Sequence, residues 1–221
     1  MPNFIYQPPT TAIEILHDDD DILIVNKPAG LLSVPGRLAE HQDNLLGRLQ
    51  RDFGELHCIH RLDMDTSGIM ILARNKKALS YISKQFQNRS IKKTYQAIIW
   101  GTPEQKIGEI NLPLITDWPN RPRQKICHET GKPSLTKYKV IEKSDNDSLI
   151  ELYPITGRSH QLRLHMQSIG HPILGCRFYA HEKAQQAAGR LQLHASHICF
   201  THPTTDLVIT IHSAAEFWLK K

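Results

Sequence analysis

The order of strands and helices legible in this chain of 221 residues is compatible with an α+β fold. Short aliphatic runs bounded by polar residues read as strands, and several of them are joined by tight polar connections. Three apolar stripes at helical spacing, each preceded by a capping residue, read as helices. A hydrophobic content of 40% is enough to bury one large core or two modest ones.

Residues 1 to 12 are polar and proline-rich and read as a surface arm, with one domain over 13 to 221. Ile13 to Leu16 and Ile22 to Val25 predict two strands around a solvated acidic turn, Asp18 to Asp21. Asn26-Lys27-Pro28-Ala29-Gly30 follows as a type I turn, in which Lys27 is given a structural role in preference to a phosphate contact. Asp43 is the expected cap of a helix carrying Leu45, Leu46, Leu49 and Phe53, closed by Gly54.

Cys58 to Leu62 and Ile69 to Ala73 predict two strands joined through a polar turn supplied by Gly68. Alternation along an extended segment would place Arg61 and Asp63 on one side and Leu62 on the other. Asn75 caps a helix through Ala78, Leu79, Ile82 and Phe86, with Lys76, Lys77 and Lys84 largely off the stripe. Ile91 to Trp100 reads as a strand that puts Tyr95 on the side of Ala97 and Ile99. The stretch from Asp117 to Pro133 has no periodicity of its own. It interleaves Trp118, Arg121, Arg123, Lys125 and Lys132 with prolines and a glycine, the composition of a loop that contacts phosphates and stacks on bases. Thr136 to Ile141 and Leu149 to Ile155 predict a hairpin. Ser159 is the expected cap of a third helix, which buries Leu162, Met166 and Ile169 and ends at Gly170. Leu207 to Leu219 gives a closing strand and a short amphipathic segment.

The motif that organises the chain is His60-Arg61-Leu62-Asp63-Met64-Asp65-Thr66-Ser67-Gly68. H-R-L-D-x-x-T-S-G resembles the catalytic motif of the RluA-type RNA pseudouridine synthases, with Asp63 as the catalytic aspartate. Further segments match in the family's order. N-K-P-A-G resembles its first motif, and Lys92-Lys93-Thr94-Tyr95-Gln96-Ala97 its second, whose tyrosine meets the target base. Thr156-Gly157-Arg158-Ser159-His160-Gln161-Leu162-Arg163 resembles its third, whose second arginine, here Arg163, pairs with the aspartate. The likeness runs from about Ile13 to Pro203. It departs at Cys176, where relatives commonly carry Asp, and in lacking the A-P-x-P ending. The wording D-W-P-N-R-P-R-Q-K-x-C-x-E-T-G-K-P resembles one branch, the short dual-specificity enzymes acting on large-subunit ribosomal RNA and tRNA anticodon stem-loops.

The resemblance implies a pseudouridine synthase fold, a mixed and largely antiparallel sheet in two halves flanked by helices around a central cleft, without the S4 RNA-binding module of some relatives. It implies isomerisation of uridine to pseudouridine, with no cofactor. The uridine must leave its stack to be reached. Asp63 then acts on the ribose as nucleophile or as base, and the two roles remain open. Arg61 is suited to enter the gap left by the flipped base. His60, Trp118, Arg121, Arg123, Lys125, Arg158 and His160 are the remaining expected RNA contacts.

Composition bounds the alternatives. The net charge of +5 suits a phosphate-backbone partner. Four widely spaced cysteines without a C-x-x-C argue against zinc and against a disulfide framework, and the thirteen histidines form no ligand set, so no metal is expected. No apolar run approaches the roughly 20 residues that span a bilayer, and a cytoplasmic monomer is expected. Two rival classes remain. One is an RNA-binding protein of the same fold without catalysis. The other is an aspartic protease using Asp65 in D-T-S-G, which would need a second such aspartate that the chain lacks. A calcium loop starting at Asp63 fails because its twelfth position is Arg74.

Overall fold

The computed structural model describes residues 5–217. The chain divides into two compact units, one made of residues 1–92 and 197–213, the other of 93–196 and 214–221.

The first unit is built on β1 (Glu14–Asp18), β2 (Ile22–Lys27), β3 (His57–Cys58) and β4 (Ser67–Ala73), with α1 (Leu45–Phe53) and α2 (Lys76–Gln87). β1 pairs with β2, and β4 pairs with both β2 and β3, all antiparallel. β2 and β4 are aliphatic on both faces. Ile22, Ile24, Ile69 and Ile71 therefore join Ala78 and Ile82 of α2 in one core, while Leu23, Val25, Met70 and Leu72 are buried on the opposite face. Asn75 caps α2 as expected, its side chain accepting from the Ala78 N–H at 2.8 Å.

Several expectations are corrected here. Asn44, not Asp43, caps α1, accepting from the Gly47 N–H at 2.9 Å. Asp43 instead holds the Arg48 guanidinium through both carboxylate oxygens. The strand expected at Cys58 to Leu62 stops at Cys58, and the connection to β4 is irregular. Its turn is made at Met64 and Asp65, where the Thr66 N–H donates to the Asp63 carbonyl at 3.1 Å. Gly68 lies inside β4. Gly30 has φ +85°, a left-handed value that a type I turn does not require. Of the N-terminal arm, residues 1–4 lie outside the described residues. Tyr6 is buried, donating its hydroxyl to the Asp43 carbonyl at 2.9 Å and accepting from the Leu32 N–H at 3.0 Å.

The second unit holds β5 (Lys92–Trp100), β6 (Ile107–Asn111), β7 (Leu114–Thr116), β8 (Gln124–Ile126), β9 (Leu135–Lys143) and β10 (Asp147–Pro154), with α3 (Gln161–Ser168) and α4 (Glu182–Gln186). β10 lies between β5 and β9, and β6 extends the sheet beyond β9, each pairing antiparallel. Ala97, Ile99, Ile150 and Leu152 pack against Leu162 and Met166 of α3. The hairpin β9–β10 is as expected, with β9 longer at both ends and β10 starting two residues earlier and ending one residue sooner. β11 (Leu193–Thr201) runs through residues of both units. β12 (Val208–His212) pairs antiparallel with its C-terminal half, and residues 218–221, the end of the expected closing segment, lie outside the described residues.

The stretch from Asp117 to Pro133 is not aperiodic. β7 and β8 form a small antiparallel hairpin around a 3-10 turn at Trp118–Asn120. The cap of α3 is His160, at φ 54°, with no side-chain cap bond, where Ser159 was expected. Among the described residues no helix is long and apolar enough to cross a membrane.

Candidate active site

Asp63 is half-buried in the irregular connection between β3 and β4, and the backbone on both sides of it is pinned by the end of β2 and the segment that follows it. Lys27 is fully buried. Its Nζ donates to the carbonyls of Pro28 at 2.8 Å, Leu31 at 2.8 Å and Met64 at 3.0 Å. The Met64 carbonyl also accepts from the Gly30 N–H at 2.9 Å. On the other flank, the Ser33 hydroxyl donates to the Leu62 carbonyl at 2.8 Å and receives the Leu62 N–H at 3.2 Å. A buried ammonium is costly unless its hydrogen bonds are met, and three carbonyls meet them here. The result is an acid whose neighbours in the chain cannot drift, as preorganised chemistry requires.

Around it, Arg61 is exposed, whereas His60 turns inward. His60 Nε2 accepts from the Ile71 N–H at 3.0 Å, and the ring lies 4.7 Å from that of Phe86. The Cys58 thiol donates to the His60 carbonyl at 3.1 Å. Burial pushes its pKa up, opposed by the charge of Arg61.

In the second unit Tyr95 stands half-buried on β5, cross-strand from Leu152 and against the core. Two residues before it, burial holds the Lys93 ammonium below its usual pKa. Arg163 on α3 is 1% exposed. Its Nε donates to Cys176 Sγ at 3.3 Å, and its guanidinium carbon lies 5.1 Å from the Phe178 ring centre and 5.7 Å from that of Tyr179. Cys176, where the likeness to the family departs, thus supplies a sulfur acceptor to Arg163 in this chain.

The start of α3 is set by Gln161, which is buried with all four amide positions used. Its Oε1 accepts from the Thr156 hydroxyl at 2.8 Å and the Arg158 N–H at 3.0 Å. Its Nε2 donates to the Leu135 carbonyl and to Thr136 Oγ1, both at 3.0 Å. His165 Nε2 donates to the Leu112 carbonyl at 3.1 Å, so Nδ1 accepts from the Thr136 hydroxyl at 2.9 Å. Burial lowers its pKa, opposed by the Leu112 carbonyl.

The expected RNA contacts divide by exposure. Trp118, Arg121, Lys125 and Arg158 are exposed, and the Arg121 guanidinium lies 4.6 Å over the Trp118 ring. Arg123 is half-buried and donates to the Phe178 carbonyl. His160 is also half-buried, its Nδ1 2.7 Å from the Tyr179 hydroxyl. Ser33, Gln161, Phe178 and Tyr179 were not singled out from the sequence. Each nevertheless lies in a segment that resembles the family, Ser33 in 31–36, Gln161 in the third motif, and Phe178 and Tyr179 in 170–179. Among the described residues no group of three or more His, Cys, Asp or Glu is placed to hold a metal ion.

The family model described as RNA pseudouridylate synthase matches residues 21–168, a span containing Asp63, Tyr95 and Arg163. The chain is 52% identical to the dual-specificity RNA pseudouridine synthase RluA of Vibrio parahaemolyticus, over 96% of this chain and 88% of that protein. It is 51% identical to the Escherichia coli protein of the same name, over 96% and 98%. Among solved structures it is similar to human RNA pseudouridylate synthase domain containing 1, with a TM-score of 0.78 and 28% identity over 99% of this chain and 87% of that one. Human RNA pseudouridylate synthase domain containing 4 gives 0.73 and 26% over 91% and 88%. With the motif aspartate held in a pinned turn and the family model spanning it, the protease reading of Asp65 falls away, and the chain belongs to the RNA pseudouridylate synthase family, isomerases that act on RNA.

Proposed function

We propose that this protein converts uridine to pseudouridine in structured RNA, with a large-subunit rRNA stem-loop and tRNA anticodon stem-loops as its two substrate classes. It works as a cytoplasmic monomer in which residues 13 to 221 act as one catalytic domain. The observation that carries the reading is the tethering of Leu62 and Met64, which holds the carboxylate between them in a fixed turn. Asp63 acts on the ribose, as nucleophile or as base, while the base is detached, turned and rejoined through carbon. Nothing is consumed in that sequence, so no cofactor is required. Tyr95 offers a ring face to the flipped uracil and Arg163 orients and stabilises the ionised Asp63. The exposed guanidinium of Arg61 fills the space the base leaves. The pair Arg121 and Trp118 combines a charge for phosphate with a face for a base, as single-stranded loops are bound.

Tritium release from C5-tritiated uridine RNA tests the assignment. Asp63→Asn is expected to lower release by at least about 10³-fold while stem-loop affinity is kept. Binding with no release by the wild-type chain would instead indicate an RNA-binding protein without catalysis. Arg61→Ala is expected to lower turnover on a structured stem-loop while sparing an unpaired oligonucleotide, and wild-type turnover on both would remove that role from Arg61.

A further inference from the structure

The hydroxyl of Tyr179 lies where the exposed hairpin meets the helix that carries Arg163. It accepts from the Gln124 N–H of β8 at 2.8 Å. With that lone pair occupied, the phenol can give its proton to His160 Nδ1, 2.7 Å away. His160 is the residue from which α3 starts. Its φ of 54° is uncommon for a residue with a side chain, and its carbonyl accepts from the Leu164 N–H at 3.0 Å. Its ring stacks on Phe178 at 5.4 Å and 19°. The dipeptide Phe178-Tyr179 also touches both charges in question. The Phe178 carbonyl accepts from Arg123 of the hairpin, and both rings face the Arg163 guanidinium. A hairpin with three-residue strands is marginal by itself, so such ties decide where it sits.

We propose that Tyr179 is a positioning residue that couples RNA engagement by the hairpin to the orientation of Arg163. The inference rests on the reading above, in which Trp118 and Arg121 meet RNA and Arg163 serves the reaction. When RNA docks on the hairpin, the phenol transmits the hairpin's placement to the first turn of α3, and so to the guanidinium of Arg163 within that turn. Without the hydroxyl the hairpin still binds RNA, but its docking no longer sets the arginine.

A double-mutant cycle in the full-length protein tests this, with stem-loop Kd and single-turnover tritium release measured for wild type, Tyr179→Phe, Arg121→Ala and the pair. Tyr179→Phe keeps the ring over Arg163 and is expected to slow turnover roughly tenfold, the effect of losing two hydrogen bonds. Arg121→Ala is expected to weaken Kd in both backgrounds and to slow turnover only where the hydroxyl is present. A purely structural Tyr179 would leave the two losses of turnover multiplicative, and that result overturns the coupling while keeping the hairpin as an RNA contact. Unchanged Kd in Arg121→Ala would overturn the coupling together with the RNA role of the hairpin, whereas loss of the Asp63 assignment would appear separately, in Asp63→Asn. Should Tyr179→Phe fail to fold, His160→Asn takes its place, because asparagine tolerates the left-handed backbone and withdraws the ring acceptor. The same non-multiplicative pattern is then expected.

Discussion

Asp63 and Arg163 are held in opposite ways. The acid sits in an irregular turn whose order comes from its chain neighbours: Lys27 and Gly30 grip the Met64 carbonyl, and Ser33 grips both backbone groups of Leu62. The arginine is held by its own side chain, buried on a helix with Cys176 at Nε and two aromatic rings against the guanidinium. Main-chain tethers fix where a carboxylate starts while leaving its oxygens outside those bonds. Side-chain burial fixes the charge itself. Two kinds of rigidity therefore hold two charged groups, and each has its own weak point.

The largest effect is expected from the tether of the turn. Lys27→Met keeps much of the volume but strips a donor from three carbonyls, at a cost of about 3 kcal/mol. Amide exchange should accelerate at Thr66, whose N–H closes the Asp63 turn, while protection in α3 stays near wild type. Equal loss in both places would break the comparison. Next comes Gln161→Ala, which removes four hydrogen bonds at the start of α3 and is expected to cost about 2 kcal/mol. Turnover should fall through Arg163 with exchange at Thr66 unaltered, and a faster Thr66 would mean that the two supports are not separate.

The smallest effect sharpens the second region alone. Burial keeps His165 neutral below its ordinary pKa of 6.5, so on acidification the unfolded chain takes up the proton first. Its contribution to stability is present above that value and is lost as pH falls toward the lowered folded pKa, at up to about 1.4 kcal/mol per pH unit. Urea midpoints at roughly pH 7.5 and pH 5.5 should separate for wild type more than for His165→Gln. Equal separations would show that the proton goes elsewhere.

What the sequence made legible follows the same division. β2, α2 and the β9–β10 hairpin were readable because each is specified locally, by apolar period and by Asn75 as cap. The shortened β3 was not, because Ser33 and Lys27, some 30 residues earlier in the chain, hold residues 62 and 64 out of strand geometry. Adjacent Asp43 and Asn44 are comparable caps by type, and the bidentate Arg48 pair decided which was used elsewhere. Prolines and basic residues concealed the short strands of the β7–β8 hairpin. His60, His160 and Arg123 read as polar candidates for RNA, yet their partners Ile71, Tyr179 and Phe178 are visible only once the chain is folded.

The thiol beside Arg163 has a practical consequence. All four cysteines are free, but Cys176 is 1% exposed while Cys58, Cys127 and Cys199 are half-buried. Thr130 and the amides around it lower the Cys127 pKa, so a mild alkylating reagent should mark Cys127 early and Cys176 last. Modification at 176 thus clocks the breathing of the arginine pocket from a native sulfur, with no reporter to engineer.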